Sequence, residues 1–235
     1  MSIDLPMSSG KTYRLQPQKI ICLGLNYREH IKESVTADSK RFTDEIPAEP
    51  ILFPKTVNTL IGPGEPIVIP AFLDDLGFRD CRTDYEGELA LIIGTGGKHI
   101  SEAEAYDHIL GYTCFNDVSQ RNFQKHDTSG WFRGKSLDTF GPVGPTIVTH
   151  QDIGDPQNLT MQTRLNGAVV QDANTNLMIF SIRQIVAYIS KYFTLTEGDL
   201  IVTGTPKGVG PLRQGDLVEV EIENIGILRN PVERS

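Results

Sequence analysis

The segment Asp84-Tyr85-Glu86-Gly87-Glu88-Leu89-Ala90-Leu91-Ile92-Ile93 constrains this chain more than any other. Its second half is a solid apolar run, the pattern of a strand buried on both faces. Its first half carries acids at alternate positions. On a strand, residues two apart share a face, so Glu86 and Glu88 point the same way. Two carboxylates ~7 Å apart repel by roughly 2–3 kcal/mol at an effective dielectric near 20. Burial adds a further desolvation penalty for each ion. Four outcomes relieve this: a solvated strand face, a proton on one acid, pairing with Arg or Lys, or an inserted cation. Gly87 faces the other way, which predicts crowding on that side. A third acid, Asp117, ends a second β-rich run over Ile109 to Val118; alone, such a residue reads as a turn or cap. Three carboxylates without soft ligands suit a hard divalent cation, Mg2+ first, with water or substrate completing its shell.

Composition narrows the classes. The chain has 235 residues, 39% of them hydrophobic, enough to bury a core. No repeat, low-complexity tract or domain boundary interrupts it. The expected organisation is a polar lead-in over 1–17 and a single domain over 18–235. The formal net charge of −8 argues against a nucleic-acid footprint, which needs clustered positive charge. An anionic substrate stays open, because local charge decides that. Cys22, Cys81 and Cys114 are widely spaced and form no CxxC pair, which predicts a reduced compartment, the cytoplasm or an organelle matrix. No run approaches the roughly 18 apolar residues of a membrane span, and the start lacks a signal-peptide pattern. The expectation is a soluble globular protein with no nucleic-acid or membrane partner.

The local pattern is β-dominated. Strands are predicted at Lys19–Gly24, Ile51–Phe53, Ile67–Ile69, Tyr85–Gly94, Ile109–Val118, Leu200–Val202 and Leu217–Ile222. Asn166-Gly167 between strand-like stretches is a hairpin signal. Ile182, Ile185, Val186 and Ile189 fall at i, i+3, i+4 and i+7 behind a capping Ser181, an amphipathic helix. A short polar helix is predicted over Asn26–Ser34 with Asn26 as its cap, and loops over 35–50 and 124–134. Two nucleotide motifs fall short. Gly134-Lys135-Ser136 has its preceding Gly130 one residue too close for a P-loop. Gly94-Thr95-Gly96 lacks the third glycine of a dinucleotide fingerprint. The five His are scattered, which argues against zinc.

Two further constellations carry chemistry. His30 and Glu33 lie at i, i+3 on the predicted helix, where a carboxylate can orient an imidazole for general-base work; the alternative is a surface ion pair. Lys135 sits in Trp131–Phe140, ahead of Gly141-Pro142-Val143-Gly144-Pro145. There, fixed backbone could hold a positioned cation; the alternative is a solvated loop lysine.

Taken together, Gly24–Glu33, Tyr85–Ala90, Asn116–Arg121, Gly134–Pro142 and Thr203–Gly210 resemble the fumarylacetoacetate hydrolase family, in family order, from about residue 18 to the C-terminus. The near-N-terminal His-x-x-Glu looks most like its acylpyruvase and oxaloacetate decarboxylase branch. The resemblance implies an α+β, β-dominated fold, a mixed β-roll of the family's C-terminal-domain type, usually a homodimer. It implies Mg2+, with Mn2+ or Ca2+ as substitutes, on Glu86, Glu88 and Asp117. His30 and Glu33 become a water-activating dyad on a segment that orders with ligand, and Lys135 stabilises developing negative charge. Arg121, Gln124 and Thr205 line the substrate site. The implied reaction is hydrolysis of a carbon–carbon bond in a 2,4-dioxo acid, releasing pyruvate. Oxaloacetate decarboxylation, or isomerisation or hydration of a 2-hydroxydienedioate, would use the same site; a non-catalytic 2-oxo acid binding protein is the reading from another class. The sequence departs from the family pattern at Gln120 and Asn122, where Ala and Asp are common, and over Phe78–Thr83.

Overall fold

The computed structural model describes residues 2–37, 45–128 and 130–235. The strand Gly87–Ile93 is its centre, with every residue buried. Alternation explains how: Leu89, Leu91 and Ile93 face one apolar core, while Ala90 and Ile92 face a second on the other side. This strand is fourth in a seven-stranded mixed sheet. The order is Ile51–Lys55, Ile20–Gly24, Leu200–Val202, Gly87–Ile93, Ile109–Asn116, Gly141–Thr149 and Leu60–Ile61. Leu200–Val202 runs parallel to Ile20–Gly24, and Gly141 pairs in parallel with Leu60; the remaining neighbours are antiparallel.

A five-stranded sheet packs across the first core. Its order is Ala168–Asn174, Thr160–Leu165, Leu217–Ile222, Gly226–Arg234 and Ile67–Ile69. The hairpin falls on Asn166-Gly167, with φ of 52° and 82°, the paired left-handed conformation of a tight turn that follows strand twist. A small sheet of Ser119–Gln120, Thr83–Tyr85 and Gly210–Pro211 caps the ends of the central strands. Five α-helices complete the described residues: α1 (Arg28–Ala37), α2 (Phe72–Asp75), α3 (Arg121–His126), α4 (Phe132–Lys135) and α5 (Ile182–Tyr192). On α5 the predicted apolar face is fully buried, and Ser181 forms a capping box with Gln184. The result is the expected α+β, β-dominated curled sheet with few helices. None of the described helices is long and apolar enough to cross a membrane.

Three local expectations differ from the structure. The polar segment 1–17 is not a loose lead-in: Ile3–Pro6 and Thr12–Leu15 form an antiparallel hairpin that inserts Leu5 and Leu15 into the second core. Ile3, Met7 and Tyr13 pack against the same core, and the Ser8 amide donates to the Ile147 carbonyl at 2.9 Å. The segment 124–134 is not loop throughout, since α3 extends to His126 and α4 begins at Phe132. Asn26 does not cap α1, which begins at Arg28. Its side-chain amide instead donates to the Thr203 carbonyl at 2.8 Å and accepts from the Phe180 amide at 2.8 Å, joining three distant segments. The loop expected over 35–50 overlaps the end of α1 and then falls on residues 38–44, outside those described.

Gly87 shows the predicted crowding. A Cβ there would lie 2.1 Å from Thr163 Oγ1 and 3.2 Å from Gln171 Oε1. Overpacking of a core site costs typically about 1–3 kcal/mol. Gly87→Ala is therefore expected to lower unfolding stability by at least that amount in urea titration; an unchanged midpoint would contradict the packing described.

Candidate metal and active site

The site is built at one end of the central strands. Glu86 occupies the break between Thr83–Tyr85 and Gly87–Ile93, and Glu88 follows two residues on. The adjacent strand ends at Asn116, whose register partner is Gly87. Asn116 Oδ1 accepts from the Glu86 amide at 2.9 Å, and the Asp117 amide donates to the Glu86 carbonyl at 2.8 Å. Period-two alternation and this register bring three acids together. One oxygen from each of Glu86, Glu88 and Asp117 lies within 4.8 Å of the others, and all three residues are buried.

Three cations oppose them. Lys135 Nζ donates to Glu86 Oε2 and Asp117 Oδ2, both at 2.6 Å. Lys55 Nζ donates to Asp117 Oδ1 at 2.6 Å and to the Val118 carbonyl at 3.2 Å. Arg121 lies 2.5 Å from Glu86 Oε1 and donates to Asp84 Oδ2 at 2.8 Å. Glu88 has no ion pair among the described residues; its Oε2 accepts from the Gly204 amide at 2.5 Å. The protein thus pairs Glu86 with Lys135 and Arg121, and leaves Glu88 to a backbone amide.

The titration behaviour follows. Burial pushes the Glu88 carboxyl up, the Asp117 and Glu86 charges push it further, and Lys135 and the Gly204 amide only partly oppose them. It sits well above the usual carboxylate range. Burial also acts on Glu86, but Lys135 and Arg121 outweigh it and hold Glu86 well below that range. For Lys135, desolvation is outweighed by Asp117 and Glu86, so the ammonium is held charged.

The donor set fits a divalent cation. Its oxygens converge within one coordination sphere, are all hard, and include a carboxyl whose pKa burial and neighbouring negative charge raise. A cation there would relieve the like-charge contact that raises Glu88.

A cavity of about 940 Å3 opens onto this cluster. Glu86, Glu88 and Lys135 line it, Asp117 sits deeper, and His30, Glu33, Arg121, Gln124 and Thr205 form further parts of the wall. His30 Nδ1 lies 3.1 Å from Glu33 Oε2, and Glu33 also accepts from the Gly208 amide at 3.1 Å and 3.2 Å. Burial raises the Glu33 carboxyl, but the bonds from His30 and Gly208 more than offset it, leaving a lowered pKa. Arg121 also donates to Gln124 Oε1 at 2.9 Å. The Thr205 hydroxyl donates to the Gly87 carbonyl at 3.0 Å, so its proton is already committed.

Two contributions escaped the residue pattern. Lys55 reads as an ordinary strand-end lysine, and only the fold buries its ammonium against Asp117. The segment Thr203–Gly210 matches by motif, but its physical role emerges from geometry. Gly204 (φ +97°) and Gly208 (φ +100°) adopt left-handed backbone that aims amides at Glu88 and Glu33. A Cβ on Gly208 would meet the Val170 carbonyl at 2.1 Å.

The family model described as fumarylacetoacetate (FAA) hydrolase C-terminal matches residues 19–233. The mitochondrial oxaloacetate tautomerase of Xenopus laevis is 42% identical over 224 residues, covering 92% of this chain and 66% of that protein. The solved 2-hydroxyhepta-2,4-diene-1,7-dioate isomerase of Mycobacterium marinum is 42% identical with a TM-score of 0.80, covering 97% of this chain and 82% of that one. The fumarylpyruvate hydrolase of Pseudomonas aeruginosa, solved with Mn2+ and pyruvate, is 26% identical with a TM-score of 0.85, covering 100% and 97%.

Two outcomes are expected from this geometry. Burial and acidic neighbours raise the Glu88 pKa, and a bound cation favours its ionised form, so binding of Mg2+ or Mn2+ should release protons and gain apparent affinity as pH rises, and Glu88→Gln should flatten that dependence. Calorimetry in buffers of different ionisation enthalpy reads both. Separately, the lowered Glu33 pKa contributes stability above the unfolded value, near 4.5, and loses it as pH falls through the folded value. The stability gap between wild type and Glu33→Gln should be full at neutral pH and shrink in acid; urea titrations at both pH values measure it.

Proposed function

The chain belongs to the fumarylacetoacetate hydrolase family, and from that footing we propose that it is a divalent-metal-dependent enzyme that forms and steers the enolate of a 2-oxo acid. The observation that carries this reading is the convergence of Glu86, Glu88 and Asp117 in one cavity with Lys135 and the His30–Glu33 pair. A divalent cation held by the three acids would supply Lewis-acid polarisation of the substrate's 2-oxo group. The protein's own residues do the rest. Lys135 presents an ammonium, with two of its protons on Glu86 and Asp117, and stabilises negative charge developing on the substrate oxygen. His30, oriented through Nδ1 by Glu33, moves a proton. Gly208 fixes Glu33 and thereby the ring.

Two reactions use these parts. In enol–keto tautomerisation or double-bond isomerisation, His30 takes a proton from carbon or an enol oxygen and returns it elsewhere on the same molecule. In hydrolysis of a 2,4-dioxo acid, His30 takes a proton from water. The water oxygen bonds to the distal carbonyl carbon, the carbon–carbon bond breaks, and its electron pair leaves as the enolate of pyruvate, which is then protonated. The tautomerase and the isomerase named above are each 42% identical to this chain, the hydrolase 26%. That difference favours the proton-transfer reaction, with carbon–carbon hydrolysis as the second reading. Decarboxylation of oxaloacetate would need the same enolate without the attacking water.

A substrate panel with Mg2+ separates them. Enolic oxaloacetate should lose its ultraviolet absorbance without carbon dioxide release if proton transfer is the reaction. Acylpyruvate should instead yield pyruvate if hydrolysis is. His30→Ala should lower kcat by about 10²–10⁴-fold in either case. No metal-dependent change in any substrate would contradict the proposal.

A further inference from the structure

One strand of the five-stranded sheet reverses the usual apolar-in, polar-out pattern. In Ala168–Asn174 the apolar Val169 is 51% exposed, while the fully buried position is polar: Gln171, 2% exposed. A buried glutamine is costly unless its amide is bonded on every side. A bulge places it. Thr163 pairs with Gln171 and Arg164 with Val169, so Val170 is the extra residue. Such a bulge bends its strand and re-aims the adjacent side chain. The strand lies at the edge of its sheet, and the Gln171 side chain crosses from there to the central strand of the other one.

There it fills a break in the ladder. The Asp117 amide bonds the Glu86 carbonyl on one flank, so the polar groups of Gly87 point to the other, towards the strand Leu200–Val202. That strand pairs with Ala90–Ile92, and the Thr203 amide donates to the Leu89 carbonyl at 3.1 Å. In continued register, Gly87 and Thr205 would be the next bonded pair. The chain instead turns at Gly204, whose amide goes to Glu88. Gln171 does what a peptide group would have done. Its Oε1 accepts from the Gly87 amide at 3.0 Å, and its Nε2 donates to Thr205 Oγ1 and to the Pro206 carbonyl, both at 2.9 Å. Thr205 Oγ1 donates to the Gly87 carbonyl, which closes a ring on both polar groups of Gly87. One orientation of the amide serves: the Gly87 N–H needs its oxygen and the Pro206 carbonyl its nitrogen. Two glycines make the room. A Cβ on Gly87 would lie 3.2 Å from Gln171 Oε1, and one on Gly208 would lie 3.3 Å from Gln171 Cγ.

The ring holds the peptide that joins Glu86 to Glu88. Thr205 forms part of the cavity wall, and Gln171 lies behind it. We propose that Gln171 is a positioning residue for the cation site: its side-chain amide fixes the Gly87 peptide against Thr205 and Pro206, and so sets the separation and direction of the Glu86 and Glu88 carboxylates. The inference rests on the metal-site reading proposed above. Loss of an outer group that orients metal ligands typically costs about 10–100-fold in affinity.

Gln171→Met keeps the length and bulk of the side chain and removes all three of its hydrogen bonds. Mn2+ binding to the full chain is read from the electron paramagnetic resonance signal of the free ion, and folding from urea titration. In folded Gln171→Met the Mn2+ dissociation constant should rise by at least about tenfold. Ile189→Val, which trims the buried face of α5, is destabilised away from the ring and should keep the wild-type constant within about twofold. Thr205→Val breaks the same ring at its other side chain, and decides the matter if Gln171→Met does not fold: there the constant should rise by at least about threefold. A wild-type constant in folded Gln171→Met, or a rise no larger than that of Ile189→Val, overturns the positioning role alone, as does a wild-type constant in Thr205→Val where that variant decides. Failure of the wild-type protein to bind Mn2+ overturns the metal-site reading and this inference with it.

Discussion

Three carboxylates buried at one point are the constraint that organises this molecule. Each would lose its hydration on folding, and each repels the other two. The fold meets the charge with Lys55, Lys135 and Arg121, delivered from a strand, a one-turn helix and the start of another helix. It meets the remaining acid, Glu88, with a backbone amide and a raised pKa rather than with a cation. The cluster is balanced but not saturated. Such a site is costly as pure architecture, because a buried ion network is weak evidence of stability. Its retention makes sense if a ligand of opposite charge completes it.

The same elements connect that cluster to chemistry. The Thr203–Gly210 segment touches both the acid cluster, through Gly204, and the His30–Glu33 pair, through Gly208. A single backbone stretch with left-handed glycines at Gly204 and Gly208 therefore couples the position of the candidate cation ligand to that of the candidate base. Asn26 ties the entrance of α1 to Thr203, so the helix that carries His30 is referenced to the same strand end. The inner cluster is where the chain matches the family motifs.

Much of the inner site was legible from residues alone. Period-two alternation put Glu86 and Glu88 on one face, and Gly87 announced a crowded opposite face. The i, i+3 spacing put His30 beside Glu33. Meeting Asp117 required strand register, which no local pattern encodes; the residues offered Asp117 only as a third acid at a strand end, and the family resemblance implied that it joins the other two. Lys55 was invisible because a lysine at a strand end is ordinary until tertiary structure buries it. The lead-in failed as a reading because mean polarity hid two well-placed leucines, and Asn26 failed because its amide is used by backbone about 150 residues or more away in sequence. Periodicity identified the long helix and the central strands; it missed the short helices within 124–134 and the N-terminal hairpin, whose segments are too short or too polar to show a period.

The central claim is that Glu86, Glu88 and Asp117 jointly hold one divalent cation that grips a 2-oxo acid. Anomalous diffraction from crystals soaked with Mn2+ and oxalate addresses it most directly. The account predicts one manganese peak within bonding distance of all three carboxylates, with oxalate completing its shell on the side of Lys135. A peak elsewhere, or none with the acids still clasped only by Lys55, Lys135 and Arg121, would contradict it.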